Sequence, residues 1–241
     1  MTNKKNNNVR EELMKELLNR YGSGNRNPFA FKIFLWETTL KISYFTKRFI
    51  DIIFSIILIV LFMPIYIITA ICIVAESPGN VIYKQARVGK NGRHFDFYKF
   101  RSMVVNAEKL KDKLKADNES SDGVIFKMKK DPRITRTGKF IRRFSIDELP
   151  QLFNVLIGDM SLVGPRPPVP KEVAEYTLED RKRLHVTPGI TCIWQVTGRS
   201  DIPFKEQVEL DKQYIKSRSL KNDIIILLKT IPAVITGKGA Y

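Results

Sequence analysis

One apolar run, residues 50–74 (IDIIFSIILIVLFMPIYIITAICIV), constrains this chain more than anything else in it. It is 25 residues long and carries one charge, Asp51. As a straight helix it would reach about 37 Å at 1.5 Å per residue. That exceeds the roughly 30 Å hydrocarbon core of a bilayer. A buried soluble helix so long and so apolar would be unusual, so the sequence predicts a membrane element. Pro64 stands in its middle. Proline lacks the amide donor and crowds the preceding turn, so a kink or break is expected there. The arms 50–63 and 64–74 would then be about 21 and 16 Å long, each too short to cross alone. Lys32, Lys41, Lys47 and Arg48 precede the run, and Lys84, Arg87, Lys90 and Arg93 follow it. Basic residues beside membrane segments stay cytoplasmic, and here the two flanks are equally basic. The expected topology is a re-entrant hairpin with both ends on one face; a proline-kinked spanning helix is the alternative.

With 241 residues there is room for one membrane element and one modest globular domain. The formal charge of +16, from 41 basic and 25 acidic residues, points to nucleic acid, anionic lipid or phosphate-bearing substrates as partners. The apolar run favours the last two, and no nucleic-acid recognition motif is present, so no nucleic-acid partner is expected. Cys72 and Cys192 form no paired framework, which fits a reducing cytosolic face. His94 and His185 are isolated, with no zinc spacing around them.

Four segments follow from composition. Residues 1–28 read as a flexible Asn/Lys-rich arm. Residues 29–46 mix aromatic and basic side chains and read as an interfacial amphipathic segment, with Trp36 and Tyr44 at headgroup depth, or as a helix packed on the domain. Residues 47–76 are the membrane re-entrant element, and 77–241 a cytosolic catalytic domain. Within that domain, 81–103 has strand character around a GKNG turn, and helices are expected at 107–116, 138–143, 145–157, 171–183 and 203–217. Residues 120–123 read as a loop, 158–170 as Gly/Pro-punctuated and irregular, and 187–200 as a loop with short extended pieces. Residues 223–235 form an amphipathic helix on the core or the membrane surface. The fold class expected is mostly α with few short strands: a membrane re-entrant helix-break-helix plus a small cytosolic α/β catalytic domain.

The densest chemistry lies in RRFSIDELPQLFNVLIGDMSLVGPRP, residues 142–167. Ser145 as N-cap with Glu148 three residues on makes a capping box, and Asp147 then sits where a helix dipole favours an anion. Taken alone, that accounts for three residues without catalysis. The surroundings argue for more. Arg142 and Arg143 immediately precede the box and Arg166 follows in a proline-stiffened loop. Mg²⁺ takes one or two carboxylates plus substrate phosphates, and arginine grips phosphate in bidentate fashion. Nearby cations also lower a carboxylate pKa, which would keep Asp147 ionised, and carboxylates attack phosphoryl groups to give aspartyl phosphates.

Five blocks extend the pattern across residues 47–230: KRFIDIIFSIILIVLFMPIYIITAI, QARVGKNGRHFDFYKFRSM, DPRITRTGKFIRRFSIDELPQLFNVLIGDMSLVGPRP, TPGITCIWQVTGRS and LDKQYIKSRSLKNDIIILLKT. In that order they resemble the bacterial sugar transferases of exopolysaccharide, capsule and glycoprotein assembly, the monotopic polyprenyl-phosphate phosphoglycosyl transferases. The resemblance implies that a phosphosugar moves from a nucleoside diphosphate sugar, usually a UDP-sugar such as a UDP-hexose, to undecaprenyl phosphate, releasing UMP. It implies Asp147 as the nucleophile of a covalent phosphosugar intermediate, with Glu148 beside it and both as ligands of Mg²⁺, or alternatively Mn²⁺. Its phosphate-binding arginines fall on Arg142, Arg166 and Arg199, and Lys99 and Arg101 are further basic substrate-binding candidates. It places the protein at the bacterial inner membrane, with the catalytic domain on the cytosolic face and among membrane lipid. The family breaks its membrane helix at a Ser-Pro pair; this chain has Met63-Pro64, a departure that touches the hairpin angle rather than the chemistry. The chain looks like the minimal form, without the four-helix bundle of many members. Direct transfer without a covalent intermediate and a non-enzymatic membrane-associated scaffold are the alternatives, and a homo-oligomer stays open.

Overall fold

The computed structural model describes residues 28–113 and 131–237, together with 16, 128 and 239. Almost all of the arm expected at 1–28, the loop at 120–123 and the end of the 107–116 helix lie outside these residues. The chain divides into two compact units, Met1–Arg48 and Phe49–Tyr241. The described part of the first is helical. It opens helix α1 (Pro28–Leu61), and Phe31, Phe34, Trp36, Ile42, Tyr44 and Phe45 are exposed along it. Thr38 and Thr39 turn their hydroxyls back onto the Phe34 and Leu35 carbonyls, at 2.7 and 2.8 Å.

The apolar run continues α1 to Leu61 and resumes as α2 (Met63–Glu76), bent by 60°. The break falls at Phe62 (φ −92°, ψ 7°), two residues ahead of the expected Pro64. Pro64 sits in the first turn of α2, where its missing amide is one of the groups left unpaired at any helix start. The bond it cannot make is the one to the Val60 carbonyl, so the ladder opens there while Phe62 and Tyr66 keep theirs at 2.9 and 3.0 Å. Among the described residues no single helix is long and apolar enough to cross a bilayer; the bent pair meets that length and composition together.

Both arms are attached to the second unit. Asp51, Ser55 and Ile59 are buried at four-residue spacing on one side of α1, whereas Ile53, Phe54, Ile57, Val60 and Leu61 are exposed. Asp51 accepts from the Leu162 amide at 3.1 Å. On α2, the Tyr66 hydroxyl donates to the Leu149 carbonyl at 2.6 Å, and the Glu76 carboxylate accepts from the Arg136 and Thr137 amides at 2.7 and 2.8 Å. The run is thus greasy on most of its surface but carries polar clamps where it meets the domain.

The body of the second unit is mostly helical with two small two-stranded sheets. Strands β1 (Ile82–Val88) and β2 (His94–Phe100) form an antiparallel hairpin in which Ile82 faces Phe100 and Val88 faces His94. Its turn contains the expected GKNG, with Asn91 at φ 58°, a left-handed conformation that asparagine tolerates. Phe95 and Phe97 point from β2 into the core with Leu152, Val155, Met160, Leu162, Val163, Tyr214, Ile226 and Ile59. Charged helix α3 (Ala107–Lys113) and basic helix α4 (Arg136–Arg143) follow. Gly138 lets α4 approach the chain after β2; an added Cβ would stand 1.9 Å from the Ser102 carbonyl oxygen.

The helix expected over 145–157 is instead a 3-10 turn, Ile146–Glu148, followed by α5 (Gln151–Ile157). Asn154 is fully buried and pins α5 to the hairpin, accepting from the Tyr98 amide at 3.1 Å and donating to the Asp96 carbonyl at 2.6 Å. Strand β3 (Ser161–Val163), α6 (Pro170–Ala174) and β4 (Gly189–Thr191) come next, with β3 and β4 parallel. The helix expected over 171–183 is broken into α6 and a 3-10 segment, Asp180–His185. The loop expected over 187–200 holds β4 and α7 (Ile193–Thr197). Helices α8 (Phe204–Lys216) and α9 (Leu220–Thr236) fall where the sequence puts them.

Candidate active site

Asp147 and Glu148 are carried by the short turn between α4 and α5. Ser145, ahead of it, is left-handed at φ 55° and its side chain caps nothing, so the expected capping box is absent. An N-cap needs extended backbone to aim its oxygen at the next turn; a left-handed serine aims elsewhere. Glu148 reaches in another direction, into the body of the site.

Four basic side chains converge there from separate elements. Lys99 comes from β2, and its Nζ is 2.8 Å from Glu148 Oε1 and 3.7 Å from Asp147 Oδ2. Arg166 comes from the GPRP loop, and its Nη2 donates to the same Glu148 oxygen at 2.8 Å. Arg142 comes from α4, and its charge acts on Asp147. Arg199 follows α7, left-handed at φ 53°, and its Nη2 lies 3.4 Å from Ser145 Oγ. Among the described residues, Arg142 and Arg199 each bury an Nη1 with no hydrogen-bond partner. Such donors are costly unless something binds them, and an anion is what a guanidinium binds. Arg101 goes elsewhere. Its guanidinium donates to the Ser77 carbonyl just past α2; like Arg142 and Arg199 it buries a nitrogen, Nε, with no hydrogen-bond partner, and among the described residues it makes no bond to either carboxylate.

The two acids differ in environment. Burial would raise the Glu148 pKa, but Arg166 and Lys99 overcome it and hold the carboxyl well below the usual range. For Asp147, burial raises the pKa and the Glu148 charge adds to it, outweighing Lys99, Arg142 and Arg166. The neighbouring cations do lower it, as expected, but burial and Glu148 outweigh them, so the expected net lowering is corrected. Asp147 is only 6 % exposed and accepts no hydrogen bond among the described residues, while Glu148 takes the two closest cations.

The Arg166 loop is held by hydrogen bonds on both sides. With its amide oriented to satisfy both ends, Gln195 accepts from Arg166 Nη1 at 2.8 Å and donates to the Ile190 carbonyl at 3.0 Å. Arg87 Nη1 donates to the Pro167 carbonyl at 2.8 Å, and the Val88 amide to the Pro168 carbonyl at 2.9 Å. On the other side the Gly189 amide bonds the Pro165 carbonyl at 2.9 Å. Arg87, Lys99 and Arg166 surround the buried Phe97 ring at 5.1, 5.5 and 5.9 Å from its centroid. Burial, then the neighbouring Arg166 charge, pushes the Arg87 pKa down to about 10. Sequence reasoning placed neither Arg87, noted only as a charge flanking the apolar run, nor Gln195 at the site, although each stands inside a recognised block. Trp194 is buried, as core packing requires. Behind the loop Arg183 pairs with the fully buried Asp211.

Among the described residues no group of three or more His, Cys, Asp or Glu could hold a metal. What is present is the Asp147–Glu148 pair. Among the described residues, both Asp147 oxygens and Glu148 Oε2 are free of hydrogen bonds, since the two bonds to Glu148 both go to Oε1. That donor set fits Mg²⁺ completed by substrate phosphates and water, not a closed protein cage.

The family model described as bacterial sugar transferase matches residues 42–237. A galactosyl transferase of Streptococcus agalactiae serotype III, CpsE, is 50% identical over 197 residues, 80% of this chain and 43% of its own length. The undecaprenyl-phosphate galactose phosphotransferase of Salmonella typhimurium is 45% identical over 202 residues, 83% of this chain and 42% of its own length. The exopolysaccharide production protein ExoY of Rhizobium meliloti is 35% identical over 198 residues, 81% of this chain and 88% of its own length. The chain therefore spans under half the length of the first two relatives and most of the third.

Proposed function

The chain belongs to the bacterial sugar transferase family, and on that premise we propose that it transfers a sugar phosphate from a nucleoside diphosphate sugar, a UDP-hexose, to undecaprenyl phosphate, beginning the assembly of a surface polysaccharide. One observation carries the reading: a buried, unbonded carboxylate, Asp147, lies among Lys99, Arg142, Arg166 and Arg199, two of which bury unpartnered donors.

In the first step an Asp147 carboxylate oxygen attacks the phosphorus that bears the sugar. The bond from that phosphorus to the bridging oxygen breaks, and UMP leaves with the electron pair. In the second step a phosphate oxygen of undecaprenyl phosphate attacks the same phosphorus, and Asp147 is released. Arg142 and Arg199 hold the diphosphate through their unpartnered Nη1 groups. Arg166 and Lys99 hold Glu148 and so fix the turn that aims Asp147. Bound Mg²⁺, held by Asp147 and Glu148, would supply positive charge to the diphosphate and favour the ionised form of Asp147. Positioning and electrostatic clamping supply most of the catalysis in such transfers.

The acceptor's tail stays in lipid, so the site must sit at the surface of the cytoplasmic membrane, on its cytosolic face. The bent pair α1–α2 serves as a re-entrant anchor in one leaflet. Helix α9 supports the same placement: Asp223 and Ile226 are buried on the body, while Ile224, Leu228, Ile231 and Ile235 form an exposed apolar row.

Asp147→Asn tests the reading. UMP release from UDP-sugars, assayed with undecaprenyl phosphate and Mg²⁺, should fall by about 10³-fold or more while membrane association is kept. Undiminished turnover would remove Asp147 from the mechanism. A phosphosugar adduct on Asp147, sought by mass spectrometry, separates the covalent route from direct transfer.

A further inference from the structure

The arm beyond the helix break touches the active-site turn directly, through one side chain. Tyr66 stands two residues after Pro64, and its hydroxyl donates to the Leu149 carbonyl at 2.6 Å. Leu149 directly follows Glu148, and its carbonyl also accepts from the Leu152 amide at 3.0 Å, the bond that starts α5. The Leu149 amide in turn donates to the Ile146 carbonyl at 3.1 Å, closing the turn that holds Asp147. The Tyr66 ring packs edge-on against Phe100 at 5.5 Å and Phe153 at 6.1 Å. Phe100 is the neighbour of Lys99, and Phe153 lies on α5. One side chain thus meets the strand that carries Lys99, the turn that carries the two carboxylates and the helix that follows them.

We propose that Tyr66 is a positioning residue: its hydroxyl ties the arm of the bent pair beyond the break to the turn bearing Asp147 and Glu148, and so sets where the nucleophile stands. The surrounding packing gives this bond its leverage. Ile146 and Leu149, on either side of the two acids, pack with Tyr66 against the cluster of Ile73, Phe100 and Ile141, so α2 covers the back of the turn. Lys99 and Arg166 hold Glu148 at 2.8 Å, but among the described residues no short bond anchors Asp147 itself, whose closest cation is Lys99 at 3.7 Å. The backbone that carries Asp147 is therefore placed by Glu148 on one side and by the contacts of α2 on the other, and a hydroxyl bound to a carbonyl is directional where apolar contact is not. The donor's phosphates are gripped by Arg142 and Arg199, to which Tyr66 makes no hydrogen bond among the described residues, so its loss should act on the chemical step and spare donor binding.

The proposal rests on the transferase reading for its kinetic consequence, and the test separates the two. Tyr66→Phe deletes the hydroxyl and keeps the ring; Tyr66→Leu deletes both. In the full chain reconstituted in lipid nanodiscs, Tyr66→Phe should lower kcat for UMP release about tenfold with the donor KM within about twofold, because a small displacement of a reacting group is costly. Its thermal midpoint should stay near that of the unaltered chain, whereas Tyr66→Leu lowers the midpoint as well. Amide hydrogen exchange over residues 146–152 should quicken in Tyr66→Phe, while residues 138–143 of α4, on the far side of the Glu76 clamp, keep their protection. Unchanged kcat, or unchanged exchange over 146–152, would overturn the proposal. Should the unaltered chain release no UMP from any donor, the transferase reading fails by itself, and the exchange comparison alone decides the role of Tyr66.

Discussion

Arg199 combines three properties that rarely coincide. It is left-handed without being glycine, partly buried, and keeps an Nη1 with no partner. Non-glycine residues in that conformation cost free energy and cluster at functional sites, and its side chain donates to Ser145, the other left-handed residue of the site. Arg199→Lys keeps the charge but loses the planar fork that matches phosphate. The expected result is a fall in kcat/KM for the nucleotide sugar of about tenfold to a hundredfold, measured as UMP release; an unaltered kcat/KM would take Arg199 out of donor binding. At this scale the sequence was legible in part. Lys99, Arg142, Arg166 and Arg199 all gather around Asp147 and Glu148, and it was the resemblance of the sequence blocks to the sugar transferases that singled them out. Arg101, two positions after Lys99, was indistinguishable from it in sequence, yet it lies past the end of β2 and turns to the Ser77 carbonyl. The spacing of Ser145 and Glu148 suited a capping box equally well. Only the left-handed backbone at Ser145 removes it, and no local sequence signal reports a backbone angle at a non-glycine residue.

Secondary elements with strong periodicity or firm punctuation were readable, and those held by distant partners were not. The hairpin of β1 and β2 announces itself through GKNG, and α8 and α9 through helical spacing of apolar residues. Strands β3 and β4 have three residues each, too few for a period, and they pair across a long intervening segment. Their pairing depends on Gly189, where an added Cβ would stand 2.0 Å from the Gly164 amide nitrogen. The helix expected over 171–183 fails for a related reason. Asp180 turns back to Thr177, accepting from its hydroxyl at 2.7 Å and its amide at 3.2 Å, and such local bonds compete with a continuing helix. Asn154 is the element-scale part most open to test. It joins α5, which follows the acidic turn, to β2, which bears Lys99. Asn154→Ala would leave the Tyr98 amide and the Asp96 carbonyl without their partner inside the fold. Each such loss costs about 1–3 kcal/mol, so chemical unfolding should report a loss of about 2–6 kcal/mol. A loss under about 1 kcal/mol would mean that water replaces the amide and that the clamp contributes little.

On the scale of the whole second unit, the decisive fact is where the two arms of the apolar run are tied. Asp51, at the start of the run, bonds the Leu162 amide of β3. Glu76, at its end, bonds the Arg136 and Thr137 amides of α4. Both β3 and α4 belong to the same compact unit, so both ends of the run meet one body. A straight span of this length would carry its ends roughly 37 Å apart and onto opposite sides of a bilayer about 30 Å thick. A body on one side could not then bond both ends. The 60° bend at Phe62 reconciles the greasy length with that double attachment, and the equally basic flanks are what such an anchor needs. This geometry supports entry and return through a single leaflet. Labelling in intact cells or oriented vesicles checks it. Cys72 is exposed and is first replaced by serine; Cys192 is buried and stays unreactive. Single cysteines are then placed at Lys47 and at Lys84, on either side of the run. A membrane-impermeant maleimide should reach both from the cytosolic face and neither from outside. Labels arriving from opposite faces would mean that the run spans the bilayer, and the bonds of Asp51 and Glu76 could not coexist in the membrane.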